Sequence, residues 1–473
     1  MSGLDITASE GHAVTRKGRR SRLKSGQSHL NGRLFWALLV VVALSPLPFG
    51  SARPFLSAAW AVYVGLAGAI YLLAMSRAGE ALRRSWSELG LPALLFIVFC
   101  GFLVVQIIPF GWIAGPVPVF AVDGWTATVP QISISPGMTI LMLLRQLTYG
   151  LFFFLCLQVL ANDARRSLML KVVLGVVIAY ALLGMINLQA GDTLMGFPKW
   201  AYFNVATGPF VNRNSFATFL ALGAVMALGL AASQLVRRAE RHRHDGVPPN
   251  VMSNFFLFMI AYGGLLVVIV ATQSRMGLVA CLAGSAVVVI LTAHALRSLG
   301  PLLYGLPVAL LGFIGIFLLY GQGLFERLES VDAAREVRGD LYAQVLELIA
   351  MRPLTGFGGG SFATAFPLVH APPVNPDYVW EKAHSTYLSL WSETGIVFGS
   401  LPIIAVALVA IRLLANLVQN KGSWSAQAIA LGAITVVAVH STVDFSLEIS
   451  AVTFLFVALL AAGVSARASS QKR

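Results

Sequence analysis

Charged side chains are scarce in this chain of 473 residues: Asp, Glu, Lys and Arg make up 11% of it, while 57% is hydrophobic. A soluble domain has too little interior to bury that much apolar side chain, so the composition is that of a polytopic membrane protein. Cysteine is nearly absent. Cys100, Cys156 and Cys281 are odd in number, lie inside apolar runs and lack C-x-x-C spacing, which speaks against a disulfide framework or a zinc site and leaves them as small buried hydrophobes. Also missing are H-E-x-x-H, a Walker A sequence and any dense loop cluster of Asp and Glu. A metalloprotease, an ATPase and a metal-dependent nucleotide-sugar transferase are therefore disfavoured, and no metal or other cofactor is expected. The net charge of +13 does not indicate nucleic acid, because the basic residues are divided among short loops between apolar segments.

What is present is a series of apolar runs of about 17 to 24 residues, each long enough to cross ~30 Å of hydrocarbon. They lie near 33–50, 55–75, 91–109, 138–161, 168–190, 214–236, 253–273, 277–296, 301–320, 396–417, 426–444 and 449–467. The expected fold is an all-α polytopic membrane protein with about 12 transmembrane helices and both termini in the cytoplasm. A basic tail over 1–32 precedes helices 1 to 9 in 33–320. An outer loop over 321–383 follows, then helices 10 to 12 in 384–467 and a short tail over 468–473. The first run follows basic residues as a signal peptide would, but no clean small-x-small cleavage site comes after it, so it reads as a retained anchor.

Charge asymmetry supports the threading independently of hydropathy, since 23 of the 33 Lys and Arg residues fall in segments assigned to the inside. Five more (Arg327, Arg335, Arg338, Arg352 and Lys382) lie in the loop 321–383, which is long enough to be translocated regardless of charge. The last five, Arg53, Arg145, Lys199, Arg213 and Arg275, break the pattern. Of these, Arg145, Arg213 and Arg275 sit at or just inside the outer ends of helices. A permanent charge there is costly, and the default reading is a site that grips an anion.

Two outer segments stand out. Residues 110–137 carry no Lys or Arg and are rich in Pro and Gly, so they are expected to lie along the interface with Trp112 and Trp125 as anchors. In the loop 321–383, residues 336–351 place Leu341, Val345, Leu348 and Ile349 on one helical face, and Pro353 supplies a stop. One amphipathic helix over the outer mouth is predicted. The Gly-rich run 354–362 (LTGFGGGSF) follows a helix and lacks Lys-Ser/Thr, so it is expected to be a flexible hinge rather than a P-loop. After it, His384 stands at the outer lip of the tenth run, ten intervening residues before Gly395, wet enough to titrate near neutral pH and near enough to reach a membrane-bound substrate.

These stretches resemble the O-antigen ligase and O-antigen polymerase superfamily of bacterial polysaccharide-assembly proteins. The similar segments are GPFVNRNSFATFL (208–220), TQSRMGLVACL (272–282), RGDLYAQVLELIAMRPLTGFGGGSF (338–362) and HSTYLSLWSETGIVFG (384–399), and they follow the family's order over roughly residues 200 to 450. The resemblance implies a GT-C-like fold in the bacterial inner membrane, a periplasmic site, and metal-independent handling of a polyprenyl-diphosphate-linked glycan by two arginines and a histidine. By motif these are Arg213, Arg275 and His384. The arginines would stabilise charge on the diphosphate leaving group, and His384 would take the proton from an acceptor sugar hydroxyl with inversion at the anomeric carbon. The acceptor implied is a lipid A-core sugar or a lipid-linked glycan, with membrane lipids around both substrates.

Further candidates follow from position. Arg145 either binds the diphosphate or pairs with a carboxylate such as Asp444 or Glu448, and Arg338 begins the outer helix within reach of the donor. Asn212 is placed to cap the sixth helix, so that with Asn214 beside it the first-turn N–H groups face the anion, and Ser274 is placed to do the same for the eighth. His440 and Asp444, four apart near the outer end of the eleventh run, are expected to share a helix face as a hydrogen-bonded pair. The competing reading from another class is a secondary transporter, which predicts repeated halves and polar groups at the membrane midplane. A non-catalytic scaffold accounts for the outer loop but not for the arginines. Ligase and polymerase both need one diphosphate grip and one base; the fit slightly favours the ligase.

Overall fold

The computed structural model describes residues 29–47, 49–85, 89–109, 117–120, 126–241, 250–300 and 331–466. The apolar run 301–320 and the interfacial Trp112 and Trp125 lie outside the described residues. In chain order the apolar helices are α1 (His29–Leu44), α2 (Pro54–Arg77), α3 (Leu91–Ile107), α4 (Pro136–Leu160), α5 (Asp163–Gln189) and α6 (Arg213–Arg241). They continue with α7 (Val251–Ala271) and α8 (Arg275–Leu296). Helix α9 (Val331–Met351) is amphipathic, and α10 (Thr386–Val418), α11 (Trp424–His440) and α12 (Ser450–Ser465) are again apolar. Seven of these helices are long and apolar enough to cross a membrane, and four shorter apolar helices pack with them. The protein is an all-α polytopic membrane protein. Among the described residues the strands are two short antiparallel pairs, Val117–Phe120 with Thr126–Val129 and Thr193–Leu194 with Phe197–Pro198.

Side-chain size decides which helix is central. Along α6, small residues such as Ala217, Ala221, Ala224, Ala227 and Ala231 are fully buried and let neighbouring backbones approach. As a result 89% of its apolar stretch is enclosed, against 22% for α2. Val62, Leu66, Ile70 and Leu73 of α2 are exposed among the described residues at helical spacing, an apolar stripe suited to lipid contact.

One end of the bundle is drawn together by hydrogen bonds between helix termini. Ala206 N–H donates to the Ala271 carbonyl at 2.9 Å, the Ser57 and Ser450 hydroxyls are 3.1 Å apart, and Gln106 Nε2 donates to the Glu393 carbonyl at 2.9 Å. At the opposite end the Arg84 guanidinium donates to the Ser465 carbonyl at 2.9 Å. Above the first end sits a small second core in which Leu341, Val345, Leu348 and Ile349 of α9 pack with Phe357, Phe362, Phe366 and Ala383.

The glycine run is not a hinge. Helix α10 is broken at Gly395, whose backbone (φ 73°, ψ 162°) leaves the helical region, and residues 353–358 close the break. Phe357 and Gly358 N–H groups donate to the carbonyls of Ser392 (3.0 Å) and Glu393 (2.8 Å), and Ile396 N–H donates to the Pro353 carbonyl (2.8 Å). Backbone groups freed inside a membrane need such partners, and the loop supplies them. Gln106 locks the arrangement by donating to the Thr355 carbonyl at 2.9 Å and accepting from Gly359 N–H at 3.0 Å. A Cβ on Gly395 would lie 2.2 Å from the Leu354 carbonyl oxygen, and one on Gly356 2.4 Å from the Glu393 carbonyl. Gly395→Ala is therefore expected to cost about 1–3 kcal/mol from backbone strain alone, with the clash added. Thermal unfolding in detergent checks this, and an unchanged midpoint would contradict it.

Candidate active site

Two helices begin side by side at the gathered end. Asn212 caps α6: its Oδ1 accepts from Asn214 N–H at 2.8 Å, which makes Arg213 the first helical residue. Ser274 caps α8 by accepting from Gly277 N–H at 3.3 Å, which puts Arg275 in the same place on its own helix. The two caps are joined, because Ser274 Oγ donates to Asn214 Oδ1 at 2.9 Å. Two guanidinium-bearing residues and two helix N-termini thus add positive potential in one region. The Arg213 guanidinium lies 5.7 Å from the centre of the Tyr202 ring.

Tyr202 is held in place by another of the cations that break the charge pattern. Lys199 forms a buried ion pair with Asp192 and donates to the Val205 carbonyl at 2.7 Å, while Asp192 accepts from Asn204 N–H at 2.5 Å. Lys199 thus staples the loop leading to Arg213. Arg53 is exposed and immediately precedes the first residue of α2.

His384 stands just before α10 with φ of 52°, a conformation that a residue with a Cβ rarely adopts. Its ring is edge-on to Trp380 (6.0 Å between centres) and Phe445 (5.2 Å). Tyr342 of α9 donates its hydroxyl to the His384 carbonyl at 2.9 Å. Burial pulls the imidazole below the usual histidine range; Arg338 pulls the same way, and Asp444 and Glu448 oppose both. Arg338 also acts on Asp444, Tyr202 and Tyr342, so it faces the same space.

His440 and Asp444 do not share a helix face, because α11 ends at His440 and Asp444 lies in the turn beyond it. They are linked through two other residues: Thr218 Oγ1 is 2.5 Å from His440 Nδ1 and 2.8 Å from Ser446 Oγ, and Ser446 donates to the Asp444 carboxylate. Asp444 is buried beside the Asn214 side chain, and burial pushes its carboxyl up to about 6. The Asp444 carbonyl accepts from both the N–H and the hydroxyl of Thr386 at 3.1 Å, which ties this turn to the residues after His384.

Arg145 belongs to a separate group. Its Nη1 donates to the Glu448 carbonyl at 3.2 Å, and the Glu448 carboxylate pairs with Lys382 at 2.6 Å. Arg145, Glu448 and Glu393 border one end of a largely apolar cavity of about 260 Å³ that continues past Phe96, Tyr149, Val406 and Leu460. Arg145 thus associates with Glu448, one of its two anticipated carboxylate partners, rather than with Asp444.

Residues 260–403 match the family model described as O-antigen ligase. That stretch is less than half of the chain, and over it the chain is similar to O-antigen ligases. The matched domain indicates a membrane glycosyltransferase of the O-antigen ligase type, and the transporter and scaffold readings are set aside. No curated protein matches the chain. The matched region contains Arg275, Arg338, His384 and Gly395, whereas Arg145, Arg213, His440 and Asp444 lie outside it, so their place beside the site rests on geometry.

Tyr202 and Tyr342 carry no functional signal in the sequence, and Lys382 stands there only as a loop cation. Tyrosines near a membrane surface have the ordinary interfacial explanation, and nothing in their spacing marks them. Glu393 carried a legible signal, a carboxylate close to an apolar run.

Proposed function

We propose that this chain transfers a glycan from a polyprenyl-diphosphate carrier to an acceptor sugar hydroxyl, without a metal and with inversion, at the periplasmic face of the bacterial inner membrane, as an O-antigen ligase does. The observation that carries this reading is the Asn214–Ser274 hydrogen bond, which sets Arg213 and Arg275 at the heads of two joined helices. Positive charge fixed there stabilises a diphosphate as it departs, and it needs no reorganisation during the reaction. His384 faces the same end of the bundle and accepts the proton of the attacking hydroxyl. The apolar cavity begins at Thr386, two residues from His384, and is suited to the lipid chain of a substrate whose head lies at the site.

The direction of the His384 shift keeps the imidazole neutral at physiological pH, the form a base requires. Activity is expected to be full above the histidine pKa and to fall as pH drops through it, with the midpoint below 6.5, the ordinary value. Arg338→Met removes a charge that holds the midpoint down, so the acid limb moves to higher pH; Asp444→Asn removes one that holds it up, so the limb moves to lower pH. A kcat/KM profile from pH 4.5 to 8, which reports groups of the free enzyme, checks both signs, and shifts in the same direction would contradict the assignment.

The function itself is tested with purified protein in nanodiscs and a polyprenyl-diphosphate glycan donor, offering core lipid and a second lipid-linked repeat unit separately, with chelator present. Transfer to core lipid supports the ligase, and a ladder on lipid-linked units supports the polymerase. Loss of either activity on chelation, with recovery on adding metal, overturns the metal-independent mechanism.

A further inference from the structure

His384 is the one residue of its segment in the left-handed conformation, and the contacts on its two sides differ in kind. On the C-terminal side the backbone is fastened directly. Ser385 Oγ and Thr386 N–H donate to the Ser441 carbonyl at 3.2 and 3.0 Å, and Thr386 N–H also donates to the Asp444 carbonyl at 3.1 Å. On the N-terminal side the chain arrives from an exposed stretch that includes Asn375, Asp377, Tyr378, Val379 and Glu381. It is caught there by the packing of Ala383 in the outer core and by the ion pair of Lys382 with Glu448 at 2.6 Å.

Glu448 is a fixed anchor. It ends the short 3₁₀ turn Ser446–Glu448, its N–H donates to the Phe445 carbonyl at 2.8 Å, and its own carbonyl accepts from Arg145 at 3.2 Å. Phe445, which packs edge-on to the His384 ring, and Ser446, which holds Asp444, belong to the same few residues. One short turn therefore carries the ring's neighbour, the carboxylate nearby and the ion-pair partner of the residue two positions earlier. The field of Glu448 raises the Lys382 ammonium above the usual lysine range, as a persistent pair requires.

We infer that Lys382 and Glu448 form a positioning pair that holds His384 in its left-handed conformation against the turn 441–448, with Arg145 bracing Glu448 from behind. Neither residue touches the reacting atoms in this account; both act through His384. The inference rests on the reading of His384 as the base, and it extends that reading to a pair outside the candidate set drawn from the sequence. It also gives Arg145 a task, since a cation bonded to the Glu448 carbonyl opposes rotation of the turn. Misplacing a general base by about 1 Å costs up to about 10²-fold in rate, so a pair that fixes its backbone acts on kcat and leaves donor binding at the arginine pair alone.

The test compares wild type with Lys382→Met, Glu448→Gln, the exchanged pair Lys382→Glu with Glu448→Lys, and His384→Ala, all full length in nanodiscs. Each single variant is expected to lower kcat by about 10- to 10²-fold, and the exchanged pair to recover most of the loss. A structural readout runs beside it: 5-fluorotryptophan at position 380 places a ¹⁹F reporter on the ring edge-on to His384. Its signal is expected to titrate as a single species in wild type and in the exchanged pair, and to split or broaden in the single variants.

Unchanged kcat and unchanged ¹⁹F signal in both single variants would overturn the positioning role. So would loss of kcat in the singles that the exchange fails to restore while the exchanged protein keeps the wild-type thermal midpoint. If His384→Ala itself retains full activity, the base assignment fails instead, and the reporter still says whether the pair orders the segment.

Discussion

His384→Ala is expected to lower kcat by about 10²- to 10⁴-fold, the usual contribution of a positioned general base, with little change in donor KM. The expectation follows from where the imidazole stands: beside Asp444, between two aromatic edges, with its carbonyl held by Tyr342. His384→Gln keeps a hydrogen-bonding side chain but accepts no proton, so it should behave like alanine in kcat while retaining the wild-type melting temperature. Single-turnover transfer with preloaded donor separates chemistry from binding. A His384→Gln enzyme with at least a third of wild-type kcat would remove the base from the mechanism.

The second large effect concerns the arginines. Arg213→Ala and Arg275→Ala are each expected to reduce kcat by about 10²- to 10³-fold, the range seen when one fixed donor to a developing anion is removed, and to weaken diphosphate carrier binding as well. Lysine at either position should recover only part of the loss, because a point charge lacks the planar fork that meets two phosphate oxygens together. The double variant should fall short of the product of the two singles, since the joined caps make the pair act as one unit. Carrier affinity by calorimetry and kcat on the same preparations check this. Loss of kcat with intact carrier binding in all three variants would point to a role elsewhere.

The apolar runs and the helix caps were readable from sequence because both depend on local patterns. Asn212 and Ser274 precede apolar periodicity, and each caps its helix in the structure. What sequence could not supply was the company each residue keeps. The i, i+4 spacing of His440 and Asp444 means a shared face only if the helix continues, and it stops at His440. The glycines of 354–362 suggest freedom when viewed alone; their role lies in close approaches to distant residues, the Glu393 carbonyl at Gly356 and the Ser133 side chain at Gly358, which leave no room for a Cβ. Arg145 was ambiguous for the same reason, since its partner is the main chain of Glu448 and no spacing rule relates the two.

The enclosure of α6 bears on how such an enzyme diversifies. Arg213 is mounted on the most buried pillar of the molecule, while His384 is mounted on a strap at the rim, adjoining a loop whose residues are largely exposed. Drift in that loop reshapes what may approach the base without repacking the core beneath the arginines. On the proposed roles of Arg213 and His384, recognition of the carrier would be insulated from recognition of the acceptor, and one bundle would serve different acceptor sugars through changes confined to its rim.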